Sequence, residues 1–549
     1  MHSENIPTHK TKIVGMVEFR LERIIYNPLM NSGTPRITAF SLAIPLLAAL
    51  IVACGSGGSE DQPWQAPGQG SPTALAGGGG DTISMPTATQ SWRLATPRLP
   101  GSPIQTPTPD NPHPLPLLRT QPESYTAKAG DTLRQIANRF GVSVELIAQA
   151  NQITDPNLIT VGQLLTIPPP TPGAPGPAFK IIPDSELVYS PSNLGFNAME
   201  IAANVPGYLA SYQEDIGGKT LTGAQIVQQI AQDYSVNPRL LLALLQHQSG
   251  WLTDPAPKRN QQEYPMGLID PSFKGLFRQL SWAANALNRG YYLWRMNAVA
   301  NWLLADGSIV PVAPTINAGT AGVQNFFSLL KDRPQWDAAV SEPGLFATYQ
   351  AIFGYPFDYA IEPLVPSDLA QPAMQLPFEA SIPWAYTGGP HAGWGEGSAW
   401  AALDFAPPIE AVGCVQSDEW VVAVADGLIL RSENGMVIQD LDNDGLEQTG
   451  WVVLYLHIES RHRIQAGVYL QAGERIGHPS CEGGASTGTH IHLARRFNGE
   501  WIPADQNVPF VLDGWTSSGA GKEYDGYMQR GEILLEAYAG LSPTNMIQR

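Results

Sequence analysis

The stretch Thr489-His490-Ile491-His492-Leu493 leaves the chain little choice of local structure. In a β-strand the side chains at i and i+2 leave the same face, so His490 and His492 point one way while Ile491 and Leu493 turn to a core. A second strand is written into Trp451-Val452-Val453-Leu454-Tyr455-Leu456-His457, where positions 451, 453, 455 and 457 share a face and His457 stands at its end. His391 and Asp404 lie upstream. Two imidazoles on one strand face, with a carboxylate and another imidazole from neighbouring strands, form the donor set of a catalytic Zn²⁺. Three ligands hold the metal, one position stays open for water, and a base or hydrogen-bond donor stands beside it. Metal-assisted hydrolysis is the chemistry this pattern predicts.

The surrounding texture agrees. From about Leu376 onward, short alternating strands separated by Gly-rich turns predict a mainly antiparallel β domain over residues 376–549. With 549 residues the chain has room for about three domains with cores of their own. Its net charge of −18 argues against a nucleic-acid partner. Only 15% of residues are charged, against 49 Pro and 54 Gly, which predicts long linkers and loop-rich modules.

At the N-terminus, Arg36 precedes an apolar run from Ala39 to Ala53 that is short for a bilayer span of roughly 20 residues but suits the core of a signal peptide. Its ending, Ile51-Val52-Ala53-Cys54-Gly55, resembles a bacterial lipoprotein signal, which implies cleavage after residue 53 and a lipid on Cys54. Residues before about Leu29 add nothing to such a signal, and translation starting at Met30 is consistent with it. The protein is thus expected outside the cytoplasm, held to a bacterial membrane. In an oxidising compartment the two remaining cysteines, Cys414 and Cys481, are expected to form a disulfide. Residues 54–123, rich in Gly, Pro, Ser, Thr and Gln, are expected to be a disordered tether.

Residues 124–168 read as a compact module. Asp131 is placed to cap a helix bearing Leu133, Ile136, Ala137 and Phe140, Gly141 ends it, and Ser143 caps a second helix with Leu146, Ile147 and Ala150. Flanking strands and the pattern Gly130-Asp131-Thr132-Leu133 … Ala150-Asn151 … Gly162-Gln163 … Ile167-Pro168 resemble a LysM domain. The resemblance implies a β-α-α-β fold that binds N-acetylglucosamine-containing glycans, in bacteria usually peptidoglycan.

After a linker at 169–184 comes a helical region, 185–372. Asn237 with Pro238 opens the helix of Leu240 to Leu245. The run from Asn237 through His247-Gln248-Ser249-Gly250-Trp251, with Gly267-Leu268 and Asn317-Ala318-Gly319, is similar to lysozyme-like lytic transglycosylases and implies an all-α fold. That family carries a catalytic Glu where this chain has Gln248. An amide cannot protonate a glycosidic oxygen, so the domain reads as a glycan-holding or structural relic. Glu263 is the substitute acid that a glycan-cleaving alternative would need. Trp251, Trp282 and Trp294 are candidates for a sugar groove or for core.

In the last domain, Leu403-Asp404-Phe405, Val424-Ala425-Asp426-Gly427, Tyr455-Leu456-His457, Gly473-Glu474-Arg475-Ile476-Gly477 and Gly488-Thr489-His490-Ile491-His492 resemble the lysostaphin-type (LytM-type) zinc peptidases over about 120 residues. The resemblance implies that His391, Asp404 and His492 ligate Zn²⁺ while His457 and His490 serve as base and oxyanion partner, in an order the sequence leaves open. One departure is visible. The family separates its first His and its Asp by three residues, whereas Ala392 to Leu403 intervene here and are read as a loop over the cleft, with Glu396 as the fallback ligand. His462 and His478 fall outside the matched positions. Asp440, Asp442 and Asp444 look like half a calcium loop, but position 12 of that loop is Trp451. The expectation is a lipid-anchored zinc endopeptidase of bacterial peptidoglycan, with an inactive wall-binding scaffold or activator of other wall hydrolases as the alternative.

Overall fold

The computed structural model describes residues 109–116, 119–128, 130–170 and 173–549. The signal segment 1–53, Cys54 and the tether up to residue 108 lie outside the described residues. No helix among the described residues is long and apolar enough to cross a membrane.

Strand β1 (Glu123–Thr126) pairs antiparallel with β2 (Leu164–Ile167), Tyr125 opposite Leu165, around helices α1 (Leu133–Phe140) and α2 (Val144–Ala150). Leu133, Ile136, Val142, Ile147, Leu165 and Ile167 bury a small core. Ser143 caps α2 by accepting from the Leu146 amide. Helix α1 is capped by Thr132 rather than Asp131. The Gln135 amide donates to Thr132 Oγ1, and the Thr132 amide donates to Gln135 Oε1. Asp131 instead accepts from the Tyr125 hydroxyl and the Lys128 amide.

The middle region centres on α3 (Gly223–Tyr234), α4 (Pro238–Ser249), α5 (Leu276–Arg295) and α6 (Ala318–Ser328). Asn237 caps α4 through the Arg239 amide, Pro238 opens it, and Gly250 closes it in the left-handed conformation at φ 70°. The region is not purely helical: two short hairpins, Gln213–Ile216 with Lys219–Thr222 and Asn301–Leu303 with Ile309–Pro311, interrupt it. Part of the expected tether is ordered against this body. The Asp110 amide donates to Thr315 O, and the His113 ring stacks on Trp294 at 4.3 Å.

The last domain is built on a nine-stranded sheet. Its central strands are β3 (Trp384–His391), β4 (Ala402–Ala406), β5 (Gly427–Glu433), β6 (Met436–Asp440), β7 (Trp451–Leu456) and β8 (Ile491–Phe497), joined in the order β5-β6-β7-β8-β4-β3. Strand alternation sends Val437, Val453, Tyr455, Ile491 and Leu493 into one core, while Met436, Ile438, Val452, Leu454, Leu456 and Ala494 bury against the helical region. A buried charge network crosses that second face. Glu447 accepts from Arg431 (2.5 and 3.1 Å) and Arg496 (2.9 Å), and Arg431 also donates to Asp233 of α3 at 2.7 Å. Beyond the sheet, a four-stranded meander, Val511–Leu512, Trp515–Gly519, Gly526–Arg530 and Ile533–Glu536, completes the domain.

Candidate metal centre

Register brings the donors together. His492 on β8 lies opposite Asp404 on β4 and opposite Leu456 at the end of β7. Bulges in β3 carry His391 past its regular register to the same end of the sheet. Strand β7 stops at Leu456, and His457 follows with φ 68°. In a continued strand its side chain would join Val453 and Tyr455 on the far face. The left-handed residue turns it over instead, so its ring lies 4.5 Å from that of His490 and 6.3 Å from that of His492. His490 precedes β8 and is held by a bridge to Ser480.

His391, Asp404 and His492 are all buried and converge within metal-binding reach. Asp404 Oδ1 lies 3.2 Å from His391 Nε2, 3.3 Å from His492 Nδ1 and 3.7 Å from His490 Nε2. The hydrogen bonds of the rings assign their tautomers. A carbonyl only accepts, so His391 Nδ1–H donates to Gly389 O (2.8 Å) and His492 Nε2–H to Gly393 O (3.0 Å). His457 Nδ1–H donates to Glu482 O (2.8 Å) and His490 Nδ1–H to Gly488 O (2.8 Å). The remaining nitrogens carry lone pairs. His391 Nε2 and His492 Nδ1 face each other at 2.9 Å, beside a buried Asp404 Oδ1 that has no hydrogen-bond partner.

Three acceptors in one buried spot repel unless a cation sits among them, so the residues fit a divalent metal. Burial pulls the His391 pKa down, but the Asp404 carboxylate raises it overall. Burial also opposes ionisation of Asp404, yet His391 and His490 hold its pKa well below the usual carboxylate range. Burial, reinforced by His490, pushes His457 down to about 4, so it is neutral at pH 7 and can accept a proton.

Other candidates lie elsewhere. Glu396 is exposed on the 392–403 loop, outside the converging group. The tip of that loop docks on the helical region: Gly397 N donates to Asn285 Oδ1 at 3.2 Å, and Trp394 packs edge-on against Tyr234. His462 and His478 hydrogen-bond to each other at 3.2 Å beside Trp420. Cys414 and Cys481 are joined as a disulfide. It fastens the segment in which Gly413 O accepts from Thr489 N, next to His490. Asp440, Asp442 and Asp444 also cluster, with Asp440 turned onto the amides of Asn443 and Gly445.

Gln248 Nε2 donates to Met266 O at 2.9 Å, and Trp251 and Trp294 are buried in the core. Glu263 is paired with Arg259 and Lys274 on the surface.

Sequence reasoning missed Tyr524. Its ring stacks on His391 at 4.2 Å from a loop of the C-terminal meander. Nothing in a lone tyrosine so far along the chain signals that contact.

The comparisons with known proteins fall on the same regions. Residues 125–168 match the LysM domain model, and residues 180–365 match the model described as LasA, N-terminal domain. The second match covers the region whose sequence resembles transglycosylases. These matches give the chain a LysM domain followed by a region similar to the N-terminal domain of LasA. In particular, the chain is 27% identical to Protease LasA of Pseudomonas aeruginosa over 297 residues, 49% of this chain and 65% of that protein. It therefore spans about two thirds of the length of that relative. Over 62 residues it is 45% identical to the N-acetylmuramoyl-L-alanine amidase XlyA of Bacillus subtilis, covering 11% of this chain and 20% of that one. Among solved structures, the deep-sea M23 metalloprotease pseudoalterin aligns at 23% identity and TM-score 0.27, covering 33% of this chain and 99% of its own. The catalytic domain of lysostaphin from Staphylococcus simulans aligns at 23% identity and TM-score 0.17, covering 22% and 89%.

Proposed function

We propose that the chain is a zinc-dependent endopeptidase that hydrolyses the peptide part of bacterial peptidoglycan. The observation that carries this reading is the set of three buried acceptors, His391 Nε2, His492 Nδ1 and Asp404 Oδ1, aimed at one point by hydrogen bonds from the far side of each ring. A Zn²⁺ held there supplies Lewis acidity and acidifies a water for attack on a carbonyl. His457 and His490 stand beside the ligands, each ring oriented by an Nδ1–H donated to a backbone carbonyl, which leaves Nε2 as the nitrogen available for proton transfer. One of the two rings takes up the nucleophile's proton, and the other is the hydrogen-bond partner of the developing oxyanion. Burial around His391 and Asp404 lowers the local dielectric, so these interactions outweigh their counterparts in water.

The LysM domain supplies affinity for the glycan, and a lipid on Cys54 with the Pro- and Gly-rich segment ahead of residue 109 holds the enzyme at the membrane while allowing reach. Tethering of this kind raises the local substrate concentration without new contacts at the site. Purified protein is expected to release muropeptides with new peptide ends from cell wall. A chelator should abolish release, Zn²⁺ should restore it, and His391→Ala and His490→Ala should both be inactive. Release that survives chelation, or products that are anhydro-sugars, would refute the zinc mechanism. Intact wall binding with no zinc in the purified protein would identify the scaffold alternative.

A further inference from the structure

The loop between the first two proposed ligands ties the metal centre to the helical region. His492 is aimed by a single contact on its outer side, Nε2–H to Gly393 O at 3.0 Å, and Gly393 belongs to that loop. Gly393 is wedged so tightly that a Cβ there would lie 2.7 Å from the Trp501 ring. The loop holds its own shape through Gly393 N to Ala399 O (3.0 Å) and Trp394 N to Ser398 Oγ (3.0 Å). Gly397 N donates to Asn285 Oδ1 of α5, and Gly397 sits so close to that helix that a Cβ would lie 2.0 Å from Asn285 O. Trp501, the wall behind Gly393, is itself fixed to α5 by donating its amide to the Tyr292 hydroxyl at 2.9 Å.

Building on the zinc reading, we infer that Asn285 and Gly397 are positioning residues, through which the helical region sets the orientation of His492 and so belongs functionally to the metal centre. The route is mechanical. Asn285 holds the loop tip, the tip holds the 393–399 turn, and the Gly393 carbonyl holds the ring tautomer that leaves Nδ1 bare. Loss of an outer contact to a metal-ligating imidazole costs about ten- to hundred-fold in metal affinity.

The test uses the full chain and Zn²⁺ alone, with affinity measured by competition against a fluorescent chelator. Asn285→Ala and Gly397→Ala are expected to weaken Zn²⁺ binding about tenfold or more. Asn285→Asp keeps the Oδ1 acceptor and should stay near wild type. Far-UV circular dichroism of the metal-free variants should match wild type, which separates loss of aim from loss of fold. If Gly397→Ala does not fold, Trp394→Leu, which removes the contact with Tyr234, carries the same expectation. Wild-type protein that binds zinc while every variant binds it equally well overturns this coupling alone. Wild-type protein that binds no zinc overturns the zinc reading and the coupling together.

Discussion

Replacing Glu447 with Gln should destabilise the joint between the helical region and the sheet by about 3–5 kcal/mol, the cost of breaking a buried ion network by removing one partner. The wild-type network balances two guanidiniums, Arg431 and Arg496, against two carboxylates, Asp233 and Glu447. All four lie in the interface, with Glu447 6% and Arg496 1% exposed. At an effective dielectric of 20, each contact near 3–4 Å is worth about 4 kcal/mol of Coulomb attraction. The amide forfeits that with both arginines but regains part of it in avoided desolvation. Urea unfolding followed by tryptophan fluorescence measures the loss, and raising NaCl should leave it nearly unchanged because the network is buried. Burial opposes ionisation of Glu447, yet the two arginines lower its pKa overall. Its contribution is therefore present above the unfolded value near 4.3 and is lost as pH falls through the depressed folded value. The gap between wild type and variant should close in strong acid. Adding Arg496→Met to Glu447→Gln restores neutrality around Arg431 and Asp233 and should recover 1 kcal/mol or more, on the order of other coupled pairs. A single-variant loss below about 1 kcal/mol, typical of an exposed pair, would refute this account of the interface.

Cys414→Ser should cost about 4 kcal/mol on chain-entropy grounds for a separation of 67 residues, and a thiol reductant should lower the wild-type denaturation midpoint similarly. Burial and the neighbouring Asp440 raise the Asp442 pKa to about 8, so its favourable contribution is full below pH 4 and lost as pH rises through 8. Asp442→Asn should accordingly raise the melting temperature more at pH 8 than at pH 5. Gln248→Glu exchanges the amide donor to Met266 O for a carboxylate that cannot donate, and should destabilise by about 1–3 kcal/mol without producing anhydro-sugars. Gain of glycan cleavage in that variant would show that the helical region is still assembled for catalysis.

Local pattern made much of this protein legible. Period-two alternation at 451–457 and 490–493 marks the strands, and Asn237-Pro238 and Ser143 mark helix starts, because those preferences act between residues a few positions apart. The donor types at 391, 404 and 492 are likewise written in the chain. Tertiary structure alone decided three other matters. His457 reaches the site only because a left-handed residue reverses a strand face. The 392–403 loop turns to the helical region because Asn285 and Tyr234 meet its Gly-rich tip. Tyr524 covers His391 from a segment more than a hundred residues away. Each is a contact between distant stretches that leaves no periodicity in either one, so the sequence specifies which atoms are available and the packed fold determines which of them meet.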